Sequence, residues 1–150
     1  MKTKIIEGFT FKYVGDFFIN PVKSSKRYKW TDEQKNERCE HITTCIRFVE
    51  NDLDKQKEVA YIVTVDDKLV YVGEFSNSFR YRWLKVDNYI WHHKDHLIHK
   101  ALRNKSNVSL WFIADPYVNL SSVNLNISKS IEHHILKNIN TDWNIRNNQA

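Results

Sequence analysis

The chain has 150 residues, of which 41% are hydrophobic and 27% are charged. This mixture can bury the core of one domain, and it excludes a chain that is disordered along its whole length. No apolar run approaches the roughly 20 residues of a transmembrane helix, and residues 1–7 show no secretory signal. Two cysteines cannot form a disulfide scaffold. We therefore expect a cytoplasmic protein without a membrane partner.

The positive charge of the chain is concentrated in one segment. The net charge is +5 with histidine neutral, and residues 76–110 contain seven basic side chains against two acidic ones. This segment alone therefore carries an excess equal to that of the whole chain. Basic residues interleaved with Trp, Tyr and His are typical of a surface that binds a polyanion. A solvated helix face would have the same composition, so charge alone leaves both interpretations open.

The first 58 residues predict an N-terminal extension with one strand and one helix. Apolar residues alternate with polar ones over residues 9–13, which favours a short strand. Thr31 could cap a helix that runs through Ile42, Ile46 and Val49, because these apolar residues have helical spacing. The polar residues that follow predict the end of this helix and a linker.

The remainder, residues 59–150, predicts a compact α/β core. Two β-rich runs joined by an Asp-Asp turn favour an antiparallel hairpin that ends at Gly73. The later elements are predicted as helices near 79–86 and over 93–103, a strand over 108–113, a loop over 117–126 and a helix over 127–139. We therefore expect a small three-stranded mixed or antiparallel sheet flanked by helices, with residues 1–58 integrated as an extension.

Four side chains of this core form a plausible set for phosphodiester cleavage. Tyr61 and Tyr71 lie on the two arms of the hairpin, Arg82 follows on the next helix, and Glu132 begins the last one. A carboxylate can hold a hard divalent ion, and a guanidinium can neutralise charge on a phosphate. A tyrosine can orient a water molecule, although a base role needs a cation nearby because its unperturbed pKa is about 10.

The same residues resemble a known family. The segments Ala60-Tyr61-Ile62, Leu69-Val70-Tyr71-Val72-Gly73 and Phe79-Arg80-Tyr81-Arg82-Trp83 resemble the signature of the GIY-YIG nuclease superfamily. The resemblance continues through Ile131-Glu132 and Trp143-Asn144 and spans about residues 59–146 in the family's order. It is strongest towards small stand-alone members, namely compact restriction endonucleases and phage endonuclease II.

The resemblance implies roles for individual residues. Tyr61 matches the tyrosine that contacts the attacking water, and Tyr71 matches the tyrosine that supports this water by hydrogen bonding. Arg82 matches the arginine that contacts the scissile phosphate. Glu132 matches the single metal ligand, with Mg²⁺ (or Mn²⁺) as the expected ion, and Asn144 matches the asparagine that helps to order the site.

Further residues correspond less directly to the family pattern. His93 falls roughly where many members have a histidine. Ala60 departs from the pattern, because the first motif usually has glycine there. His92, His96 and His99 have spacings that would also suit zinc, although contact with DNA phosphate or solvent fits them better. The residues expected to contact DNA are Lys26, Arg27, Arg80, Lys85, Lys94, Lys100 and Arg103.

The expected function is metal-dependent hydrolysis of double-stranded DNA by a restriction-type endonuclease. A phage-encoded enzyme that degrades foreign or host DNA is the close alternative, and a non-catalytic DNA-binding module on a nuclease scaffold is the alternative from another class. Because one active site cuts one strand, a double-strand cut favours a homodimer or homotetramer.

Overall fold

The structure is a computed structural model that describes residues 2–23, 42–78 and 93–144, with side chains described for 2–19, 45–78 and 97–144. Within these ranges the chain forms a six-stranded antiparallel sheet, a separate two-stranded hairpin and two α-helices. The elements in chain order are β1 (Thr3–Ile6), β2 (Phe9–Lys23), β3 (Ile42–Phe48), β4 (Val59–Val65), β5 (Lys68–Phe75), α1 (His93–Arg103), β6 (Val108–Ile113), β7 (Tyr117–Leu120), β8 (Val123–Asn126) and α2 (Ser128–Asn138). A short 3-10 helix, Leu53–Lys55, precedes β4.

The sheet is larger than the sequence predicts. Its strand order is β1-β2-β6-β4-β5, and β3 pairs with β2. The expected small three-stranded sheet flanked by helices is therefore wrong. The error arises because β1, β2 and β3, all from the first 58 residues, extend the sheet through the pairing of β2 with β6.

Several individual elements are confirmed. The hairpin of β4 and β5, helix α1, strand β6 and helix α2 all occur close to their predicted positions. The helix predicted through Ile42 and Ile46 is wrong, since these residues lie in β3. The predicted loop over 117–126 is the β7–β8 hairpin, and the predicted helix near 79–86 lies outside the described residues.

The two faces of the sheet bury separate cores. One face packs against α1 and contains Tyr61, Val63 and Ile98. The opposite face packs against α2 through Ile131 and Ile135. Because successive side chains of a strand point to opposite faces, β4 contributes to both cores and all of its residues from Val59 to Thr64 are buried. Helices on both faces explain why this strand reads as a continuous β-favouring run rather than a polar–apolar alternation.

A β-bulge in β2 shifts the side-chain alternation of this long strand by one residue. Tyr13 pairs with Trp111 and Gly15 pairs with Leu110, so Val14 is the extra residue. Before the bulge, Phe11 belongs to the α2-side core, whereas Val14 and Phe17 belong to the α1-side core. The added residue therefore changes the phase of the side-chain alternation.

None of the helices in the described ranges is long and apolar enough to cross a membrane.

We predict that Gly15→Ala strongly destabilises the fold. A Cβ at Gly15 would lie 2.1 Å from the backbone oxygen of Arg47 in the neighbouring strand, and a backbone atom cannot move aside as a side chain can. We expect a loss of at least about 2 kcal/mol in the free energy of unfolding, measured by urea denaturation.

Gly8→Asn is the matched control. Gly8 has φ +83° and open space around it, and Asn tolerates this backbone region, so its loss should stay below about 1 kcal/mol. Equal losses in the two variants would contradict the packing argument.

Candidate active site

The structure brings Tyr61 and Tyr71 together. Tyr61 pairs with Gly73 and Val63 pairs with Tyr71 across the β4–β5 hairpin. The two tyrosine rings therefore lie diagonally on one face, with their centroids 5.9 Å apart and their planes inclined by 32°. Tyr61 is only 2% exposed, and Tyr71 is partly exposed. The accessible member of the pair is therefore Tyr71.

Gly73 provides the space that the two rings occupy. A Cβ at this position would lie 2.8 Å from Cζ and Oη of Tyr61 and 2.8 Å from Cε1 of Tyr71. Only a residue without a side chain fits beneath the rings in this arrangement. Gly73 does not end the strand as predicted, because β5 continues to Phe75. Glycine instead occupies this position because the two tyrosine rings pack closely against it.

A second bulge lies directly before Tyr71. Val63 pairs with Tyr71 and Thr64 pairs with Leu69, which leaves Val70 as the extra residue of β5. The backbone oxygen of Val70 accepts a hydrogen bond from the backbone N–H of Trp143 at 2.9 Å. This hydrogen bond holds the bulge against the C-terminal segment. It therefore also fixes the backbone of the next residue, Tyr71.

The Asn144 side chain completes the outer edge of β5. The backbone N–H of Val72 donates to Oδ1 of Asn144 at 3.0 Å, and Nδ2 of Asn144 donates to the backbone oxygen of Val72 at 2.8 Å. The Thr141 hydroxyl also donates to Oδ1 of Asn144. One amide thus replaces both hydrogen bonds that a neighbouring strand would make. Sequence reasoning did not identify Thr141, whose only signal is its position three residues before Asn144.

Glu132 lies on helix α2, which packs against β4 and β5. The preceding residue, Ile131, is 3% exposed, and Ser128, one turn earlier, is 1% exposed. The Ser128 hydroxyl donates to the backbone oxygen of Glu58 at 2.7 Å, immediately before β4 begins. Glu132 is partly buried on the same side of the helix as Ser128. Helix α2 covers the face of the sheet opposite to the one that carries the tyrosine pair.

Ala60 lies on the α2 side of the sheet. It is fully buried with Ile62, Val72 and Ile131. Its methyl group therefore points away from Tyr61, its neighbour on the opposite face. The departure from glycine at this position adds a core contact with α2 and leaves the tyrosine pair undisturbed.

Other predicted residues lie wholly or partly outside the described residues. The structure places His93 and Lys94 in the first turn of α1 without describing their side chains. It shows Lys100 and Arg103 exposed near the C-terminal end of this helix. The predicted site residues that fall outside the described ranges are Lys26, Arg27, Arg80, Arg82 and Lys85.

An open groove of about 410 Å³ lies between α1 and the beginning of β5. Its lining combines the apolar side chains of Val70 and Trp143 with the cationic side chains of Lys68 and Lys100. Nζ of Lys68 lies 3.1 Å from a carboxylate oxygen of Asp142. The groove therefore combines one aromatic ring, the Lys68–Asp142 ion pair and the cationic side chain of Lys100 beside the strand that carries Tyr71.

Two pKa shifts arise at structural contacts on other strands and turns. Burial, a hydrogen bond with Asp16 and the negative charge of Asp16 raise the pKa of Tyr13 to about 12. A hydrogen bond with Lys4 and its positive charge lower the pKa of Asp67, since Nζ of Lys4 lies 2.9 Å from that carboxylate. The second contact links β1 to the turn between β4 and β5.

Comparison with known proteins shows a similarity to solved structures. No family model matches the chain, and no curated protein matches it. A solved structure of a glutamate-to-alanine mutant of EndoII from bacteriophage T4 has a TM-score of 0.55 and 19% sequence identity, and the match covers 90% of this chain and 92% of that chain. The two proteins therefore share a fold over nearly their whole lengths.

We predict that Asn144→Ala destabilises the protein by about 1–3 kcal/mol, because both backbone groups of Val72 lose their partner. Asp142→Ala is the matched control in the same segment. Its ion pair with Lys68 is exposed, so its removal should change stability by less than about 1 kcal/mol. Urea denaturation of both variants measures the difference, and a larger loss in the Asp142 variant would contradict the role of Asn144.

Proposed function

We propose that the protein is a metal-dependent endonuclease of the GIY-YIG type that hydrolyses phosphodiester bonds in double-stranded DNA. The observation that carries this proposal is the Tyr61–Tyr71 pair packed over Gly73. Both tyrosines and this glycine occupy the positions of the family signature. The fold shared with EndoII, whose name denotes an endonuclease, supports the same conclusion.

In the proposed reaction a water molecule attacks the phosphorus atom. A bond forms between the water oxygen and phosphorus, and the bond from phosphorus to the leaving oxygen breaks. Tyr61, in its deprotonated tyrosinate form, would orient the water and take its proton to become the neutral phenol, and Tyr71 would support the water through a hydrogen bond. Arg82 offsets the negative charge that develops on the phosphate. The leaving oxygen receives a proton from solvent.

The proposed metal ligand is Glu132, with Mg²⁺ or Mn²⁺ as the ion. Because the helix of Glu132 and the tyrosine pair lie on opposite faces of the sheet, this role requires the phosphate to be approached from both faces around the edge at β5. No group of three or more His, Cys, Asp or Glu side chains in the described part of the chain could enclose a metal ion. A single carboxylate suits Mg²⁺, which keeps several of its water ligands and often uses only one or two protein carboxylates. When bound, the ion would stabilise negative charge on the leaving oxygen.

Cationic side chains beside the hairpin would hold the DNA backbone. Lys100 and Arg103 are exposed on α1, and Lys68 and Lys100 line the groove next to β5. We propose the same role for Lys26, Arg27, Arg80, Lys85 and Lys94. Such contacts position the duplex without reading its sequence. His93, at the start of α1, would act close to the scissile phosphate.

The biological role that we propose is restriction by a type II-like enzyme acting as a homodimer or homotetramer in the cytoplasm. Two active sites are needed because each cuts one strand. The shared fold with a bacteriophage protein favours a second candidate, a phage-encoded enzyme that degrades foreign or host DNA.

We predict that Glu132→Ala reduces plasmid cutting at least about 100-fold, because charge stabilisation at the leaving oxygen is lost. Binding of DNA in a mobility-shift experiment should remain, since Lys and Arg side chains provide it. His133→Ala is the matched control, because His133 is the exposed neighbour on the same helix. Full cutting by the Glu132 variant would overturn the site assignment. A wild-type protein that binds DNA and never cuts it with Mg²⁺ or Mn²⁺ would identify a binding module instead.

We predict that the wild-type protein with Mg²⁺ produces discrete fragments from a DNA of known sequence. A restriction enzyme cuts only where base-edge contacts are satisfied, so its products have fixed lengths. Gel electrophoresis of a time course measures this directly. A continuous smear at every stage of digestion would favour the phage-type degradative role.

A further inference from the structure

The groove between α1 and the beginning of β5 opens on the same face of the sheet as the tyrosine pair. Val70, Ala101 and Trp143 line this groove. All three lie in or against the α1-side core, as Tyr61 and Tyr71 do. Val70 directly precedes Tyr71 in β5. The groove and the accessible tyrosine are therefore neighbours on one surface.

The indole ring of Trp143 forms a fixed wall of the groove. The ring packs against the α1-side core and remains partly exposed. The backbone N–H of Trp143 donates to the backbone oxygen of Val70 at 2.9 Å, and the next residue, Asn144, makes two hydrogen bonds to Val72. The ring is thus held from both sides along the chain, which lowers the entropy cost of binding a ligand against it.

Charged and polar side chains surround this apolar wall. Lys68 on β5 and Lys100 on α1 supply two positive charges, and Asp142 pairs with Lys68. Two cations and one carboxylate give these three side chains a net charge of +1. Asn104 and Ser106 add an amide and a hydroxyl to the lining. The groove therefore suits a ligand that combines an aromatic ring, hydrogen-bonding heteroatoms and one negative charge.

A nucleotide has each of these features. Its base is a flat aromatic ring with heteroatoms at its edge, and its phosphodiester carries one negative charge. Aromatic side chains beside a positively charged groove are the arrangement by which proteins bind unpaired nucleic acid strands. The groove volume of about 410 Å³ also lies within the range of roughly 300–1,000 Å³ that is typical of small-molecule sites. An acidic peptide would satisfy the lysines but would leave the indole without a stacking partner.

We propose that the groove binds one unpaired nucleotide of a DNA strand, with its base on Trp143 and its phosphate at Lys100 and Lys68. A base inside a duplex is covered on both faces by its neighbours, so only a base that has left the stack can reach the indole. This inference rests on the proposed nuclease function. It adds a preference for DNA that carries an unpaired base beside the tyrosine pair.

Two short strands of equal length separate the contribution of the base from that of the phosphates. One strand consists of abasic sites only, and the other carries a single thymine at its centre. Fluorescence anisotropy of the labelled strands, in buffer without divalent ions, measures binding in the absence of cutting. The wild type should bind the thymine strand at least about 5-fold more tightly, which corresponds to one stacking contact.

Variants of the indole test the position of the base. Trp143→Leu keeps an apolar side chain and removes the aromatic ring, so it should abolish the preference for the thymine strand. Its affinity for the abasic strand should stay within about 2-fold of the wild type, because the phosphate contacts remain. Trp143→Phe keeps a smaller ring and should show an intermediate preference.

A lysine variant tests the position of the phosphate. Lys100→Gln should weaken the binding of both strands equally, because it removes a charge contact that does not depend on the base. Lys137→Gln is the matched control, since Lys137 is exposed in the last turn of α2 on the opposite face of the sheet. This control should bind both strands as the wild type does.

The same preference should appear in duplex DNA. A duplex with one unpaired thymine should bind the wild type more tightly than the fully paired duplex of the same sequence. Trp143→Leu should remove this difference, because the unpaired base loses its stacking surface.

Two outcomes would overturn the proposal. The first is a wild type that does not distinguish the thymine strand from the abasic strand. The second is a preference for thymine that persists in Trp143→Leu, which would place the base elsewhere. Thermal denaturation of each variant confirms that the fold is retained, and Trp143→Phe and Lys100→Gln still test the groove if the leucine variant does not fold.

The outcomes also separate this site from the proposed nuclease function. A preference for thymine that depends on Trp143, in a protein that never cuts DNA, would support the groove and overturn the nuclease function. Cutting of DNA by a wild type without the preference would overturn the groove and support the nuclease function.

Discussion

Strand β5 has β4 as its only strand neighbour in the described residues, and the side-chain amide of Asn144 bonds the backbone of Val72 on its other edge. An open edge in this position would leave the backbone groups of Val72 unpaired beside a candidate active site. Asn144 satisfies them, and Trp143 holds the bulge at Val70. Tyr71 lies between these two attachment points. The orientation of one tyrosine therefore depends on the docking of a segment about 70 residues later in the chain.

Local sequence patterns were sufficient for the elements that form the centre of the fold. Strand β4 and the start of β5 consist of β-favouring residues around a two-Asp turn, and Asp66 and Asp67 both adopt positive φ there. Helix α2 carries Ile131 and Ile135 at helical spacing, and both are buried. Here propensity, hydrophobic period and tertiary packing agree, which is the condition under which sequence reasoning succeeds.

The same reasoning failed where long-range pairing decides the structure. Ile42, Ile46 and Val49 have helical spacing, yet Ile42 and Ile46 lie in β3, whose residues pair with β2. The bulge at Val14 changes the phase of β2, so its apolar residues follow no single strand period. For the candidate site, the family resemblance identified Tyr61 and Tyr71, but no local pattern shows that Gly73 holds their rings or that Thr141 supports Asn144.

The contrast between Gly73 and Ala60 shows which of these two positions must be glycine for the tyrosine pair to pack as it does. Gly73 lies on the face of the rings, and a Cβ there would overlap atoms of both tyrosines. Ala60 lies one residue before Tyr61 and points to the opposite face, where its methyl group packs in the core beneath α2. Positions 60 and 73 look equivalent in the sequence, but side chains alternate between the two faces of a sheet, so only position 73 lies on the face of the tyrosine rings. A methyl group at position 60 fills the core under the helix that carries Glu132, whereas a methyl group at position 73 would displace the two rings.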